Sequence, residues 1–204
     1  KNTKALKRAR DAGIALAICS GRLPAVCSRF ALEMGLDDCI IIGLNGTQIW
    51  DGPFGLEQFS SVFPLETALT CWVVLSLAKV PVTLYGRNSI FTNQQFDTEG
   101  ARERYRKLFA GANVTVEIGP DAVEQGILHS PLKFLAKFPE GHAQEGAVCE
   151  ALRKIPGIAL TTSKAGTIEI MQAGCGKAVG LAQVAKDLNI PAAEVMAFGD
   201  FDND

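Results

Sequence analysis

Three aspartates stand at alternate positions near the end of the chain, in the stretch EVMAFGDFDND at residues 194–204. Asp200, Asp202 and Asp204 come directly after an apolar run and Gly199. Carboxylates this close together repel one another unless protons or a cation offset their charge. Carboxylate oxygens are also the ligands that Mg²⁺ and Ca²⁺ prefer in proteins. The spacing therefore indicates part of a metal site, whose other groups must come from elsewhere in the chain.

Two other interpretations of this stretch remain open. An EF-hand calcium loop also begins with D-x-D-x-D, but such a loop follows a helix. Here the aspartates follow residues 195–198, a short apolar run that predicts a buried strand. A metal site at the end of a strand therefore fits better. Asp202 is also explained as a solvated residue of a turn.

A candidate anion site lies at residues 18–24, ICSGRLP, where a predicted strand ends and a helix begins within a few residues. Ser20 offers a hydroxyl, and Gly21 lets the backbone come close to a ligand. Together with the unpaired amides of a helix N-terminus, these groups suit a phosphate. The simpler alternative is a serine that caps a tight turn between strand and helix.

Lys177 begins a helix directly after a glycine-rich turn, in the stretch AGCGKAVGL. A phosphate-binding loop of the GxxxxGK[ST] type is excluded, because Met171 stands where glycine is needed and Ala178 where serine or threonine must follow. The ammonium of Lys177 could still face a phosphate or a carboxylate pair, and a surface lysine is the alternative. Asn45 leaves another buried strand, although Asn-Gly is equally typical of a hairpin turn.

The elements that must position these residues alternate between apolar strands and amphipathic helices. Such alternation predicts a parallel sheet covered by helices on both faces, with ligands at the carboxyl ends of its strands. We therefore expect an α/β fold with a Rossmann-like, doubly wound core. Helices are predicted at 1–12, 24–34 and 176–189, and strands at 14–19, 39–44 and 195–198, with a further short strand after Asn45-Gly46.

The pattern changes character from about Ser60 onward. Strands joined partly by hairpins alternate there with three helical segments, which is typical of an α+β unit. We predict an inserted domain at residues 63–164 and a discontinuous core at 1–62 and 165–204. The predicted helices are at 65–79, 98–111 and 145–155, and the predicted strands lie within 81–93, 131–138 and 157–171.

Taken in order, AICSGR, IIGLNGTQIWD, IEIMQAGCGKAVGL and VMAFGDFDND resemble the second, third and fourth motifs of the haloacid dehalogenase superfamily, in its Cof-like branch of phosphatases. The resemblance spans the whole chain. It includes the cap domain that this branch inserts between the second and third motifs, which matches the block at 63–164. It implies Mg²⁺ as the cofactor and a small phosphorylated metabolite, such as a sugar phosphate, as the substrate.

The resemblance also implies roles for single residues. Ser20 matches the residue that hydrogen-bonds the transferring phosphoryl group, with the Gly21 amide beside it and Arg22 as a support or substrate contact. Lys177 matches the lysine that steadies nucleophile and phosphate. The remaining matches are Asp200 as a magnesium ligand, Asn203 and Asp204 as the pair that supports the metal and phosphate shell, and Asn45 and Gly46 as the Asn-Gly of the cleft floor.

One departure from the family pattern concerns the nucleophile. The first motif, DxDGT, supplies the nucleophilic and the acid/base aspartates, and this sequence has no such motif. We expect truncation ahead of Lys1 and an inactive chain as given. The resemblance thus implies a magnesium-dependent phosphatase that works through an aspartyl-phosphate. A non-catalytic phosphometabolite-binding protein and a phosphomutase on the same scaffold remain as alternatives.

Composition limits the kinds of partner. The chain has 204 residues, with 20 basic and 22 acidic side chains, so nothing in its charge favours nucleic acid or an anionic membrane. Its six cysteines include no CxxC pair, which predicts reduced thiols and a cytoplasmic protein. We expect packing or surface roles for His129 and His142. The oligomeric state is not determined by the sequence.

Overall fold

The computed structural model describes residues 2–93, 103, 105, 107, 109–110, 112–139, 142–162 and 164–199. The chain divides into two compact units. One unit contains residues 2–60 together with Gly176–Gly199, and the other is formed by Ser61–Cys175. The second unit is therefore inserted into the chain of the first.

The first unit is built on a four-stranded sheet in the order β1-β2-β3-β4. The strands are β1 Ala17–Cys19, β2 Ile40–Gly43, β3 Gln48–Trp50 and β4 Glu57–Ser60, and the helices are α1 Asn2–Asp11, α2 Pro24–Glu33 and α6 Lys177–Asp187. The β1–β2 pair is parallel, whereas β2–β3 and β3–β4 are antiparallel. Helix α1 precedes β1 and helix α2 lies between β1 and β2, so helix and strand alternate along this part of the chain, as the sequence predicts.

Helices cover the two faces of this sheet. Ile42 of β2 packs with Val184 of α6, whereas the neighbouring Gly43 lies against the Pro24 ring at the start of α2. Successive side chains of a strand point to opposite faces, so α2 and α6 lie on opposite sides of the sheet. Pro24 suits the first turn of α2 because the amide that proline lacks has no helical partner there.

The second unit contains a six-stranded sheet in the order β7-β6-β5-β8-β10-β9. Its strands are β5 Val82–Tyr85, β6 Ser89–Thr92, β7 Thr115–Ile118, β8 Lys133–Lys137, β9 Ile158–Thr161 and β10 Thr167–Gln172, and its helices are α3 Leu65–Leu77, α4 Ala122–Gly126 and α5 Glu145–Arg153. The β6–β7 pair is parallel, and the other pairs of this sheet are antiparallel.

One face of the second sheet forms an apolar core. The side chains of Leu84, Phe134 and Ile170 all point to this face. They pack with Leu75 of α3 and Leu152 of α5. The opposite face carries a buried ion pair between Lys133 and Glu169, with 3.0 Å between Nζ and Oε2. This sheet therefore has one apolar and one partly polar face, which is typical of antiparallel architecture.

The two ends of the second unit lie side by side. The Ser61 hydroxyl hydrogen-bonds the side-chain oxygen of Gln172, near the end of the unit. The amide of Phe63 donates to the carbonyl of Pro131 at 2.8 Å, which fixes the start of the unit to the segment before β8. The first and last residues of the inserted segment therefore lie close together within the second unit.

Most predicted elements are confirmed, and the α/β fold class with them. One prediction is wrong: residues 195–198 do not form a buried strand, since Met196 and Phe198 are 79% and 90% exposed. A strand needs a neighbour to satisfy its backbone groups, and within the described residues this segment pairs with none. Strands β4 and β7 and helix α4 were not predicted. The predicted helix at 98–111 falls largely outside the described residues.

Two further expectations concern cysteines and histidines. The six cysteines all lie within the described part of the chain, and none forms a disulfide. His129 stacks on Phe91 and His142 packs edge-on against Phe138, so both have packing contacts. No helix among the described residues has the length and apolar character that a membrane span needs.

Candidate functional site

The Ser20–Arg22 segment extends the end of β1. The Ser20 amide donates to the Ile42 carbonyl at 2.9 Å, which continues the parallel pairing of β1 with β2. The Arg22 amide then donates to the Ser20 hydroxyl oxygen at 3.2 Å, so the chain turns sharply before α2. Ser20 and Gly21 are half-buried, and Arg22 is exposed. The hydroxyl keeps its own proton for a further hydrogen bond, because the contact with Arg22 uses an acceptor position.

A left-handed turn follows β2 at the same edge of the sheet. Leu44, Asn45 and Gly46 have φ values of 49°, 59° and 86°, a region that residues with a side chain rarely adopt. Two backbone hydrogen bonds join the turn to the Ser20–Arg22 segment. The Leu44 amide donates to the Arg22 carbonyl at 2.8 Å, and the Asn45 amide donates to the Ser20 carbonyl at 2.9 Å. These hydrogen bonds maintain a conformation that costs about 1–3 kcal/mol for each non-glycine residue.

Helix α6 begins beside this turn. Gly176 stands at the N-cap with an extended backbone and, as a glycine, supplies no side-chain cap to the helix. The thiol of Cys19 donates to the Lys177 carbonyl at 3.7 Å, which brings the first turn of α6 against the end of β1. Lys177 is half-buried. The Lys177 backbone therefore contacts Cys19, the residue before Ser20, although 157 positions separate Ser20 and Lys177 in the chain.

The groups that the described residues bring to this edge are mainly positive. The N-terminus of α6 carries the positive end of the helix dipole, and its first turn contains no acidic residue. The Lys177 ammonium belongs to the same turn. The Arg22 guanidinium lies 5.4 Å from the centre of the Phe30 ring, a cation–π contact on the exposed side of α2. Burial raises the pKa of the Cys175 thiol, which is thereby kept protonated and is a poor nucleophile.

The structure places six of the predicted site residues at one edge of the first unit: Ser20, Gly21, Arg22, Asn45, Gly46 and Lys177. Asn45 is only 1% exposed, so its side chain is part of the buried turn. The predicted residues Asp200, Asn203 and Asp204 lie outside the described residues. Within the described part of the chain, no three His, Cys, Asp or Glu side chains are grouped closely enough to bind a metal ion.

Sequence reasoning missed two glycines of this edge, Gly176 and Gly180. A Cβ added to Gly46 would overlap the Gly176 carbonyl oxygen, and one added to Gly180 would lie 3.1 Å from the Gly46 Cα. The glycine-rich sequence AGCGKAVG was a visible signal, but a backbone contact with a segment more than a hundred residues away cannot be read from it. In the second unit, Tyr85 is mostly buried and burial raises its pKa, whereas Arg87 and Asn88 are exposed.

Comparison with known proteins gives a match along the whole chain. The family of haloacid dehalogenase-like hydrolases matches residues 1–204. The 5-amino-6-(5-phospho-D-ribitylamino)uracil phosphatase YcsE of Bacillus subtilis is 26% identical over 204 residues, which cover all of this chain and 70% of that protein. The resemblance to this superfamily, in its Cof-like branch, is thereby confirmed.

Solved structures share the fold at low identity. A haloacid dehalogenase-like hydrolase from Bacteroides thetaiotaomicron superposes with a TM-score of 0.77 at 21% identity, over 99% of this chain and 74% of that one. The subclass IIB sugar phosphatase BT4131 superposes with a TM-score of 0.69 at 18% identity, over 95% of this chain and 71% of that one. The chain thus spans about seven-tenths of the length of the proteins it matches.

Proposed function

Because the chain belongs to the haloacid dehalogenase-like hydrolases, we propose that it is a phosphatase that hydrolyses phosphate monoesters of small metabolites. The observation that carries this proposal is the meeting of the Ser20–Arg22 segment with the N-terminus of α6 through Cys19 and Lys177. A hydroxyl, amides at a helix N-terminus and an ammonium at one edge suit a phosphate dianion. The phosphatase name of the Bacillus subtilis relative supports the same activity.

In this proposal each described residue acts on the phosphoryl group. The Ser20 hydroxyl donates a hydrogen bond to a phosphoryl oxygen, and the Gly21 amide lies beside it. The Lys177 ammonium offsets the negative charge that opposes attack by a carboxylate. Arg22 supports the segment or contacts the substrate. Asn45 and Gly46 form the buried floor under these groups rather than a polar contact surface.

The nucleophile is assigned by the resemblance to the first aspartate of a DxDGT motif, which these 204 residues do not contain. Its carboxylate would attack phosphorus, the ester P–O bond would break, and the second aspartate would protonate the leaving oxygen. The second aspartate would then take a proton from a water molecule. This water would attack phosphorus, the bond between the nucleophilic aspartate and phosphorus would break, and phosphate would be released. We therefore expect the chain as given to release no phosphate.

We propose Mg²⁺ as the cofactor, held by Asp200 and Asp204, with Asn203 supporting the metal and phosphate shell. Carboxylate oxygens are the donors that this ion prefers, and their spacing in the sequence suits a shared cation. Bound Mg²⁺ would supply positive charge next to the phosphoryl oxygens, beyond what Lys177 supplies. The described residues contribute no competing carboxylate cluster.

The proposed substrate class is a phosphorylated sugar or sugar alcohol. The Bacillus subtilis relative is named for a phosphoribityl compound, and BT4131 is described as a sugar phosphatase. We assign the selection of the leaving group to the inserted segment, which the resemblance identifies as a cap. The reduced cysteines favour a cytoplasmic location. Cell fractionation that recovers the protein outside the cytoplasm would contradict this location.

The test measures phosphate release from p-nitrophenyl phosphate and from a panel of sugar phosphates by the full-length natural protein. We expect activity with Mg²⁺, loss of activity with EDTA or Asp200→Ala, and a fall of about 100-fold in Ser20→Ala and Lys177→Met. Lys186→Met, in the last turn of the same helix, is the control and should keep full activity. Activity that survives both EDTA and Asp200→Ala would refute the proposal.

A non-catalytic phosphometabolite-binding protein is a second candidate, because the sequence contains no DxDGT motif. The full-length protein would then bind a sugar phosphate in a Ser20-dependent manner without releasing phosphate. A phosphomutase would instead convert a hexose phosphate into its isomer. Product analysis with a hexose phosphate separates these outcomes from hydrolysis.

A further inference from the structure

The left-handed turn Leu44–Gly46 is conformationally costly and deeply buried. Leu44 and Asn45 are 0% and 1% exposed, and both have positive φ values although they carry side chains. Backbone in this region persists where surrounding contacts determine it, and such positions concentrate at functional sites. The contacts on the two sides of the turn therefore indicate its role.

On one side the turn is hydrogen-bonded to the Ser20–Arg22 segment. Two successive amides, those of Leu44 and Asn45, donate to the carbonyls of Arg22 and Ser20 at 2.8 Å and 2.9 Å. The Thr47 hydroxyl donates to the Leu44 carbonyl at 3.0 Å, which closes the turn from within. Backbone hydrogen bonds thus fix the turn to the proposed phosphate segment.

On the other side the turn approaches the start of α6 closely at Gly46, Gly176 and Gly180. A Cβ at Gly46 would overlap the Gly176 carbonyl oxygen and lie 2.9 Å from the Gly176 carbonyl carbon. That carbonyl accepts the first hydrogen bond of the helix, from the Gly180 amide at 2.9 Å. A Cβ at Gly180 would lie 2.8 Å from the Ile42 Cγ2 and 3.1 Å from the Gly46 Cα.

We propose that the Leu44–Gly46 turn sets the distance between Ser20 and the N-terminus of α6, with Gly46 and Gly180 as positioning residues for Lys177. The turn is bonded to Ser20 on one side and lies within backbone contact of Gly176 on the other. Any side chain between them separates the hydroxyl from the ammonium and the helix amides. The expected effect on kcat rests on the proposed function, whereas the expected displacement of α6 does not.

The matched pair of variants is Gly46→Ala and Gly13→Ala. Both positions belong to the first unit and have nearly equal φ values of 86° and 84°, but a Cβ at Gly13 meets nothing within 4 Å. The positive φ therefore disfavours alanine at both positions, and we expect only Gly46→Ala to displace α6. We expect kcat for p-nitrophenyl phosphate in the full-length protein to fall about 100-fold in Gly46→Ala and to change less than about twofold in Gly13→Ala. Equal kcat in the two variants would overturn the proposal.

Gly180→Ala covers the case in which Gly46→Ala fails to fold. Alanine is favoured over glycine inside a helix, so this variant should be no less stable than the parent apart from the contact with Ile42 and Gly46. We expect kcat to fall while the thermal midpoint stays near that of the parent. Unchanged kcat in a folded Gly180→Ala protein would contradict the positioning role.

A double-mutant comparison shows whether Gly46 acts through Lys177. If it does, Gly46→Ala should lower kcat strongly in the parent and little in a Lys177→Met background. A general loss of folded protein would lower activity by the same factor in both backgrounds, and that result would refute the inference.

An activity-independent measurement separates this inference from the proposed function. Amide ¹H–¹⁵N spectra of the 204-residue chain should show displaced signals for residues 176–180 in Gly46→Ala and not in Gly13→Ala. If the full-length protein has no phosphatase activity, the proposed function fails and these spectra still decide the positioning role. Unmoved signals in Gly46→Ala would overturn it.

Discussion

Lys133 is the clearest case of a single residue whose environment the sequence does not reveal. It is 2% exposed, pairs with Glu169 across β8 and β10, and lies 5.1 Å from the centre of the Tyr85 ring. A charged side chain this deeply buried has lost its hydration, so the carboxylate and the aromatic face must replace the water. In the sequence PLKFLAKF the same lysine has the appearance of an ordinary residue on the solvent face of a strand.

Removal of one partner should therefore destabilise the chain strongly. We expect Lys133→Met to lower the free energy of unfolding by about 3–5 kcal/mol, because the buried Glu169 carboxylate then loses its ion pair with the Lys133 ammonium. The double variant Lys133→Met with Glu169→Leu should recover most of this loss. Urea denaturation followed by circular dichroism measures both effects.

The control is the surface pair Arg29–Glu33, which is separated by 3.8 Å and whose glutamate is 63% exposed. Glu33→Gln should change the free energy of unfolding by about 0.5 kcal/mol or less, as exposed pairs of this spacing do. A Lys133→Met variant no less stable than Glu33→Gln would show that the buried pair contributes nothing specific.

At the scale of elements, Ser28 joins helix α2 to the connection between β3 and β4. Its hydroxyl donates to the Pro24 carbonyl at 2.9 Å and accepts from the Phe54 amide at 3.1 Å, and its side chain is fully buried. Phe54 has a positive φ of 54°, so the connection is held in a conformation that it would not favour alone. One hydroxyl thus fixes an irregular segment against a regular one.

We expect Ser28→Ala to lower the free energy of unfolding by about 1–3 kcal/mol, because the part-buried Phe54 amide then loses its acceptor and the Pro24 carbonyl loses the hydroxyl donor. Thermal and urea denaturation measure the loss. Ser76→Ala is the matched control, since Ser76 makes a similar bond to the Val73 carbonyl but is exposed. Its effect should stay within about 0.5 kcal/mol. Equal effects of the two substitutions would contradict the role given to Ser28.

The sequence predicted elements well where local pattern decides them. The amphipathic pattern of α6 predicts a helix and the apolar run of β2 predicts a buried strand, whatever the rest of the chain does. Pro24 and Gly35 mark the ends of α2. The predicted strand at 195–198 shows the limit, because an apolar run becomes a strand only when a neighbouring strand is available. Strand β7 was missed for the opposite reason: its half-exposed sequence TVEI is weakly patterned, and pairing with β6 determines its conformation.

The candidate site shows the same division. Ser20 and Lys177 were predicted because residue type and local glycines point to anion chemistry. The approach of their backbones at Cys19, Gly46 and Gly176 depends on the packing of α6 against the sheet, which no local pattern encodes. Asp200, Asn203 and Asp204 stay predictions, since they lie outside the described residues.

At the scale of the whole molecule, the chain consists of two units with separate cores. Among the described residues, the core cluster of Ser61–Cys175 consists of residues of that segment, from Phe63 to Ile170. Its start and end are joined by the hydrogen bond between Ser61 and Gln172. A segment with its own core and with joined ends has the properties of a domain that folds independently.

We therefore expect the isolated segment 61–175 to fold by itself. It should unfold cooperatively on heating, because it contains an apolar core cluster of its own. Circular dichroism and differential scanning calorimetry of the excised segment test this expectation, and Leu75→Ala, in its core, should lower the melting temperature. A segment without a cooperative transition, whose melting does not respond to Leu75→Ala, would show that its stability depends on the rest of the chain.

The adjacency of Ser61 and Gln172 has a consequence for how such a protein can change over generations. A segment that departs and returns at one place can be lengthened, shortened or exchanged between relatives while the host chain keeps its path. Under the proposed function, drift within 61–175 would alter which molecules are accepted, and the groups around Ser20 and Lys177 would stay as they are. New substrate preferences could thus arise without any risk to the bond-breaking chemistry.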